Sequence, residues 1–168
     1  VYEHGIIRMR DGTSFRTNNS SVSSAVDIAI DCVNEGGQAL VFAETRKRTV
    51  SLAAKAAEGV YRQLDKAARE LAVKTSSEIL SKGDDTVITN MLAKLVSRGV
   101  AFHHAGLAPT SREIVESSFR KGVIKLLTAT PTLAAGVNLP ARRVVIANIL
   151  RYDPEYGRNL PISVLEYK

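Results

Sequence analysis

Four short apolar runs decide what this chain can fold into: QALVFA at 38–43, VAF at 100–102, IKLLT at 124–128 and RVVIANIL at 143–150. Each is too short for a helix and nearly continuously apolar, as a parallel strand covered on both faces should be. Helical patterns separate them. Val22, Ala25, Val26, Ala29, Ile30 and Val33 follow the i, i+3, i+4 rhythm, with Ser20 or Ser21 as cap and Gly36-Gly37 as stop. A long helix after 44–48 carries Val50, Ala53, Ala57, Val60, Leu64, Ala67 and Leu71, with Gly59 as a local weakness. A break is expected at 74–77, with a further turn to Leu80. Asp84-Asp85 then cap a helix marked by Val87, Ile88, Met91, Leu92, Leu95 and Val96. Pro109 opens another, with Ile114, Val115 and Phe119 inside and Gly122 as its end. This alternation predicts an α/β fold: an open, mainly parallel β-sheet with helices on both faces.

Both ends differ from this pattern. Residues 2–16 read as a hairpin turning at Asp11-Gly12, the core of an N-terminal β-ribbon or linker over 1–20. Residues 149–163 read as a second hairpin, projecting from the sheet's edge, with a helix starting at Glu166. The whole of 1–168 is expected to form a single domain, since 168 residues and 45% apolar content suffice for one core.

The charge of +6 favours a polyanionic partner without requiring one. The lone cysteine, Cys32, cannot form an internal disulfide, and its apolar helical setting suggests an inert core thiol in a reducing compartment. No apolar run approaches a membrane span and no signal-peptide pattern is present, so a soluble, cytoplasmic protein is expected. No phosphate-cradling G-x-x-x-x-G-K-[ST] occurs, and His103-His104 lack a third metal ligand. The chain alone is therefore not expected to hydrolyse ATP or to hold a metal.

The densest polar segment is TATPTLAAGVNLPARRVV, residues 128–145. Thr128, Thr130, Thr132, Gly136 and Asn138 crowd between two apolar runs, which marks a functional loop where backbone approaches a ligand. Residues 44–48 and 103–109 also follow strands directly. Ligands gather outside the carboxyl ends of strands in such sheets. Hydroxyls, cations and N–H groups near helix starts are suited to phosphates, so three loops on one rim suit an extended phosphate backbone. Arg142 and Arg143 admit two readings, a solvated strand start or a phosphate or interdomain contact.

LVFAETRKR, AFHHAGL, the R112-x-x-V115-E116-x-x-F119-R120 pattern and TATPTLAAGVNLPARRVVI closely resemble the second RecA-like domain of Ski-type superfamily 2 helicases. The nearest likeness is to archaeal DNA-repair helicases of stalled forks, related to the polymerase theta helicase, over about residues 38–168. The resemblance implies a RecA-like domain cut from a larger ATP-dependent, 3′-to-5′ DNA helicase, inactive on its own. It implies translocating-strand contacts at Thr45, Arg46, His104, Gly106, Thr130 and Thr132, with Arg142 added, while Gly136 and Asn138 face the nucleotide. ATP and Mg²⁺ would be held mainly by a first RecA-like domain. The C-terminal hairpin, with Arg151, Tyr152, Tyr156 and Arg158, would part the duplex, Tyr152 or Tyr156 stacking on the last base pair. Implied partners are single-stranded and forked DNA and neighbouring domains of the same parent chain, in DNA repair and replication restart. Two alternatives stay open: an RNA helicase domain of the same branch, and a stand-alone basic nucleic-acid-binding module.

Overall fold

The computed structural model describes residues 2–3, 6–8, 12–16, 23–133, 138–148, 150–153 and 158–161. Of residues 2–3, 7–8, 15–16, 132, 150–153 and 158–161 the backbone alone is considered. Strands β1 (Tyr2–Glu3), β2 (Ile6–Arg8) and β3 (Ser14–Arg16) form an antiparallel ribbon, Ile7 opposite Phe15. The main sheet contains β4 (Ala39–Phe42), β5 (Val100–His103), β6 (Leu126–Ala129) and β7 (Arg143–Ile146). Its order is β5-β6-β4-β7, every neighbouring pair parallel, as expected of a RecA-like α/β fold. Last come β8 (Leu150–Asp153) and β9 (Arg158–Pro161), paired antiparallel with Leu150 opposite Pro161. The expected strand over 143–150 is thus two strands, β7 and β8.

Helix α1 (Ser24–Asn34) starts after Ser23, later than the expected cap, and its buried residues include Ala25, Val26, Ala29 and Val33. Cys32 is buried within it, and burial pushes its thiol above the ordinary value, in keeping with an inert core position. Helix α2 (Arg46–Gln63) packs on α1, β5 and β6. Gly59 lies where these helices meet: an added Cβ would come 2.5 Å from Ile30 Cδ1. What reads as a weakness in one helix is a close approach between two.

The expected break at 74–77 is absent. The chain breaks at Leu64, which turns to extended backbone, and Asp65 then caps helix α3 (Lys66–Lys82) by accepting from Ala68 N at 2.7 Å. An apolar stripe cannot register this break, because Leu64 stays buried while Leu71, past the new cap, is 52% exposed. Helix α4 (Val87–Val96) is capped by Thr86, which accepts from Thr89 N at 3.2 Å, in place of the expected Asp84-Asp85. Its buried side is Thr89, Leu92, Ala93, Leu95 and Val96, so Val87 and Met91 face outward. Helix α5 (Pro109–Arg120) buries Ile114, Val115 and Phe119.

The core is strands β4, β5 and β6 with the inner faces of these helices, and Phe102 and Phe119 are its largest wholly buried side chains. Gln38 stitches its lower edge, donating from Nε2 to the carbonyls of Phe119 and Ile124 at 2.7 Å each. Strand β7 lies at the end of the strand order, with Val145 buried and Val144 55% exposed. It is half covered, not the fully buried strand its apolar run suggests.

Candidate functional site

Because the sheet is parallel, the carboxyl ends of β4, β5 and β6 share one rim. The segment after β4 delivers Thr45 and Arg46. Thr45 is the N-cap of α2, its Oγ1 accepting from Arg48 N at 3.1 Å. The first turn then presents Arg46, Lys47 and Arg48 with no acidic residue. Cations at a helix N-terminus oppose the helix dipole, and an anion there would offset both charges.

After β5 the chain enters His103-His104-Ala105-Gly106. His104 is 4% exposed, its ring stacked 5.4 Å from that of Phe102, and its Nδ1 accepts from Gly106 N at 3.1 Å. Its side chain therefore supports the turn and does not present itself to a strand outside. Gly106 is exposed, and an added Cβ there would lie 3.3 Å from Arg46 Nη1, so the two loops meet. The expected set Thr45, Arg46, His104 and Gly106 is brought together, with Arg46 and Gly106 outward and His104 beneath.

The third loop joins them through Thr130, whose N–H donates to His103 O at 3.2 Å. A 3₁₀ turn, Pro131–Leu133, follows directly, closed by Leu133 N donating to Thr130 O at 3.0 Å. Thr132 lies in that turn, its side chain not described. Thr128 does not belong to the surface: it is wholly buried, and its hydroxyl donates to Thr49 O at 2.8 Å. It ties β6 to α2, correcting the expectation that the threonines of 128–145 face a ligand together.

Residues 128–145 are also not one compact loop. Strands β6 and β7 are parallel and flank β4, so the chain must travel from one rim to the other between them. Four strand residues at about 3.3 Å each separate the rims by roughly 13 Å. Arg142 lies on the far rim, where its N–H donates to Gln38 O just ahead of β4. Its guanidinium donates from Nη1 to Glu35 O at 3.0 Å and pairs with the Glu35 carboxylate at 3.3 Å. Arg143 donates to Ile28 O at 2.9 Å. Together they tie the middle and the C-terminal end of α1 to the start of β7. Arg142, exposed just ahead of β7, fits the solvated strand start, and its Glu35 contacts place it on the rim away from Arg46, Gly106 and Thr130.

Asn138 is exposed on the crossing segment, and Gly136 and Tyr156 lie outside the described residues. Arg151 and Tyr152 stand in β8 and Arg158 in β9, placed by backbone alone. Among the described residues no three His, Cys, Asp or Glu side chains gather to hold a metal ion, and no helix is long and apolar enough to cross a membrane.

One pair escaped the sequence reading. His103 is 6% exposed, and its Nε2 lies 2.9 Å from Glu116 Oε1 on α5. Glu116 stood within the quoted R-x-x-V-E pattern, but nothing in that spacing joins it to a histidine thirteen residues earlier in the chain.

Both histidines are held below their ordinary value of 6.5. Burial is the main cause for each, opposed at His103 by the Glu116 bond and reinforced at His104 by the charge of Arg46. The unfolded chain therefore takes up these protons first as pH falls. Stability is full above pH 6.5 and declines as pH drops from there through the folded values. Glu58, lowered by Arg62 and Arg98, and Glu78, lowered by Lys82, act only below their ordinary 4.5. Melting temperature should thus fall between about pH 7 and pH 5, and His104→Asn, which keeps an acceptor for Gly106 N–H, should flatten that fall. Parallel slopes for the two proteins would refute the assignment.

A family model described as "Helicase conserved C-terminal domain" matches residues 21–160. The chain is 46% identical over 170 residues to the ATP-dependent DNA helicase Hel308 of Pyrobaculum calidifontis, covering 100% of this chain and 23% of that protein. It is 46% identical over 151 residues to the protein of that name from Methanocella arvoryzae, covering 90% of this chain and 20% of the relative. A third, from Caldivirga maquilingensis, is 38% identical over 172 residues, with 100% and 22% covered. The chain thus spans about a fifth of the length of these curated relatives. With a parallel sheet whose loops meet on its carboxyl rim, and a family model matching most of its length, the chain belongs to the helicase conserved C-terminal domain family.

Proposed function

We propose that this chain is the second motor domain of an ATP-dependent, 3′-to-5′ DNA helicase of repair and replication restart. The observation that carries the reading is the meeting of three loops on one rim, with Arg46 beside Gly106 and Thr130 bonded to His103 O. That rim offers a cation, small turn residues and the acid-free start of α2, which suits the phosphates of a single strand.

In this reading Arg46, Gly106, Thr130 and Thr132 grip the strand's backbone, Thr45 caps the helix that carries Arg46, and His104 braces Gly106. Gly136 and Asn138 face a nucleotide bound with Mg²⁺ mainly on a first RecA-like domain, which supplies the hydrolysis chemistry. The β8–β9 ribbon, through Arg151, Tyr152, Tyr156 and Arg158, separates the strands of forked DNA. The chain works in the cytoplasm with neighbouring domains of the same parent. A rim that grips phosphates does not itself choose DNA over RNA; the relatives' names favour DNA.

The test is Thr130→Ala in a protein that joins this domain to a first RecA-like domain. Loss of one hydroxyl-to-phosphate hydrogen bond, about 1.5 kcal/mol, should weaken single-strand affinity roughly tenfold. Stimulated ATP turnover should fall with it, and both holding at the parent value would sink the grip. A matched RNA strand run beside the DNA decides between the two polymers.

A further inference from the structure

We propose that His103 and Glu116 form a positioning pair, tethering the end of β5 to α5 and so fixing where the His103 carbonyl meets the Thr130 N–H. The proposal rests on the reading of Thr130 as a strand contact.

His103 is the last residue of β5, and it acts twice. Its ring reaches Glu116 Oε1 at 2.9 Å, while its carbonyl accepts from Thr130 N at 3.2 Å. In the tautomer with its proton on Nε2, the ring donates to the carboxylate. Glu116 stands in the interior of α5, one turn from Arg112, whose buried Nε makes no hydrogen bond among the described residues. The titratable and charged groups acting on the His103 ring are therefore Glu116 and Arg112 from α5, with His104 beside it on its own strand end.

Packing alone does not call for this arrangement. Phe102, Val115 and Phe119 already fill the adjacent core with apolar surface. A buried polar pair stabilises no better than an apolar pair of the same volume, but it has direction, so it selects one arrangement of β5 against α5. That direction passes along one hydrogen-bonded path: Glu116 to the His103 ring, the His103 carbonyl to the Thr130 amide, and the Thr130 carbonyl to Leu133 N. The turn over Gly106 leads straight into α5. A strand pressing on Gly106 is therefore connected to the register of Thr130 through the pair.

Amide hydrogen exchange on this chain tests the geometry. In Glu116→Ala, exchange at Thr130 should quicken about tenfold or more, while the amides of β6 itself change by less than about twofold. Glu116→Gln, which keeps a hydrogen bond to the ring, should recover most of the protection. Unchanged Thr130 exchange, equal acceleration along β6, or a glutamine variant matching the alanine one would each overturn the pair. Should the alanine variant not fold, Glu116→Leu carries the same comparison.

In the two-domain protein, Glu116→Ala should weaken single-strand affinity about two- to fivefold, no more than Thr130→Ala does, with stimulated turnover falling alongside, and Glu116→Gln should restore both. Parent-like affinity and turnover, or a glutamine variant that restores neither, would refute the positioning role. Arg46→Ala run alongside separates the two ideas: unchanged affinity there defeats the strand-grip reading, whatever the exchange data say of the pair.

Discussion

Replacing Phe102 with alanine is expected to lower the unfolding free energy by about 3–5 kcal/mol, because a wholly buried aromatic leaves a cavity that its neighbours cannot close. Phe102 sits inside β5 with β6 beside it, and its ring carries the stacked ring of His104. The loss should therefore extend to the rim. Without that support His104 no longer holds Gly106 N–H, and Gly106 loses its seat beside Arg46. Denaturant unfolding measures the first effect as a lower midpoint at unchanged slope. The second is read from the Gly106 amide, whose protection should disappear well before global unfolding. Phe102→Leu keeps most of the volume and should cost clearly less. A loss below about 1 kcal/mol for the alanine variant would mean that β5 is not packed into the core.

The other large effect concerns Arg46. In a protein joining this domain to a first RecA-like domain, Arg46→Ala should weaken single-strand binding roughly ten- to a hundredfold, the equivalent of a charge-assisted hydrogen bond of about 1.5–3 kcal/mol. The dependence of log affinity on log salt should flatten by about one phosphate contact. Arg46 is a cleaner probe than Thr45. The Thr45 hydroxyl already accepts from Arg48 N, so Thr45→Ala costs about 1 kcal/mol of helix stability whether or not a strand is bound. Arg142→Ala is the matching control, because that side chain is committed to Glu35 on the opposite rim. Equal losses for Arg46 and Arg142 would indicate diffuse attraction to a basic surface, which is the behaviour of a stand-alone binding module.

Much of the architecture was legible from periodicity. Four apolar runs separated by helical patterns give a parallel sheet because strands covered on both faces tolerate few polar residues, and all four appear in it. Helix boundaries were less legible where capping competed with pattern. The break at Asp65 is set by one carboxylate satisfying Ala68 N, and an apolar stripe carries no information about that bond. Exposure of Leu71, Val87 and Met91 followed from which neighbour each helix met, a matter of packing partner and not of local sequence. At the site, Thr45, Arg46 and Gly106 were recognisable as residue types suited to phosphate. His104 was recognisable as part of the motif but not as a buried brace, because burial depends on Phe102 lying beneath it.

Residues 128–145 show where the division falls. Their composition alone identified them as a segment under special constraint, and their resemblance to a helicase motif indicated the family. Direction along the sheet could not be read there, since parallel pairing is a property of β4, β6 and β7 together. That pairing carries the segment from the rim of Thr130 to the rim of Arg142, and gives its first half to the candidate interface and its last residues to the clamp on α1. It also takes Thr128 inward to Thr49. The sequence by itself determined which side chains are available and what chemistry they offer. Tertiary structure decided which share a rim, because contacts such as Thr128 with Thr49 and Arg46 with Gly106 exist only after distant elements have packed together.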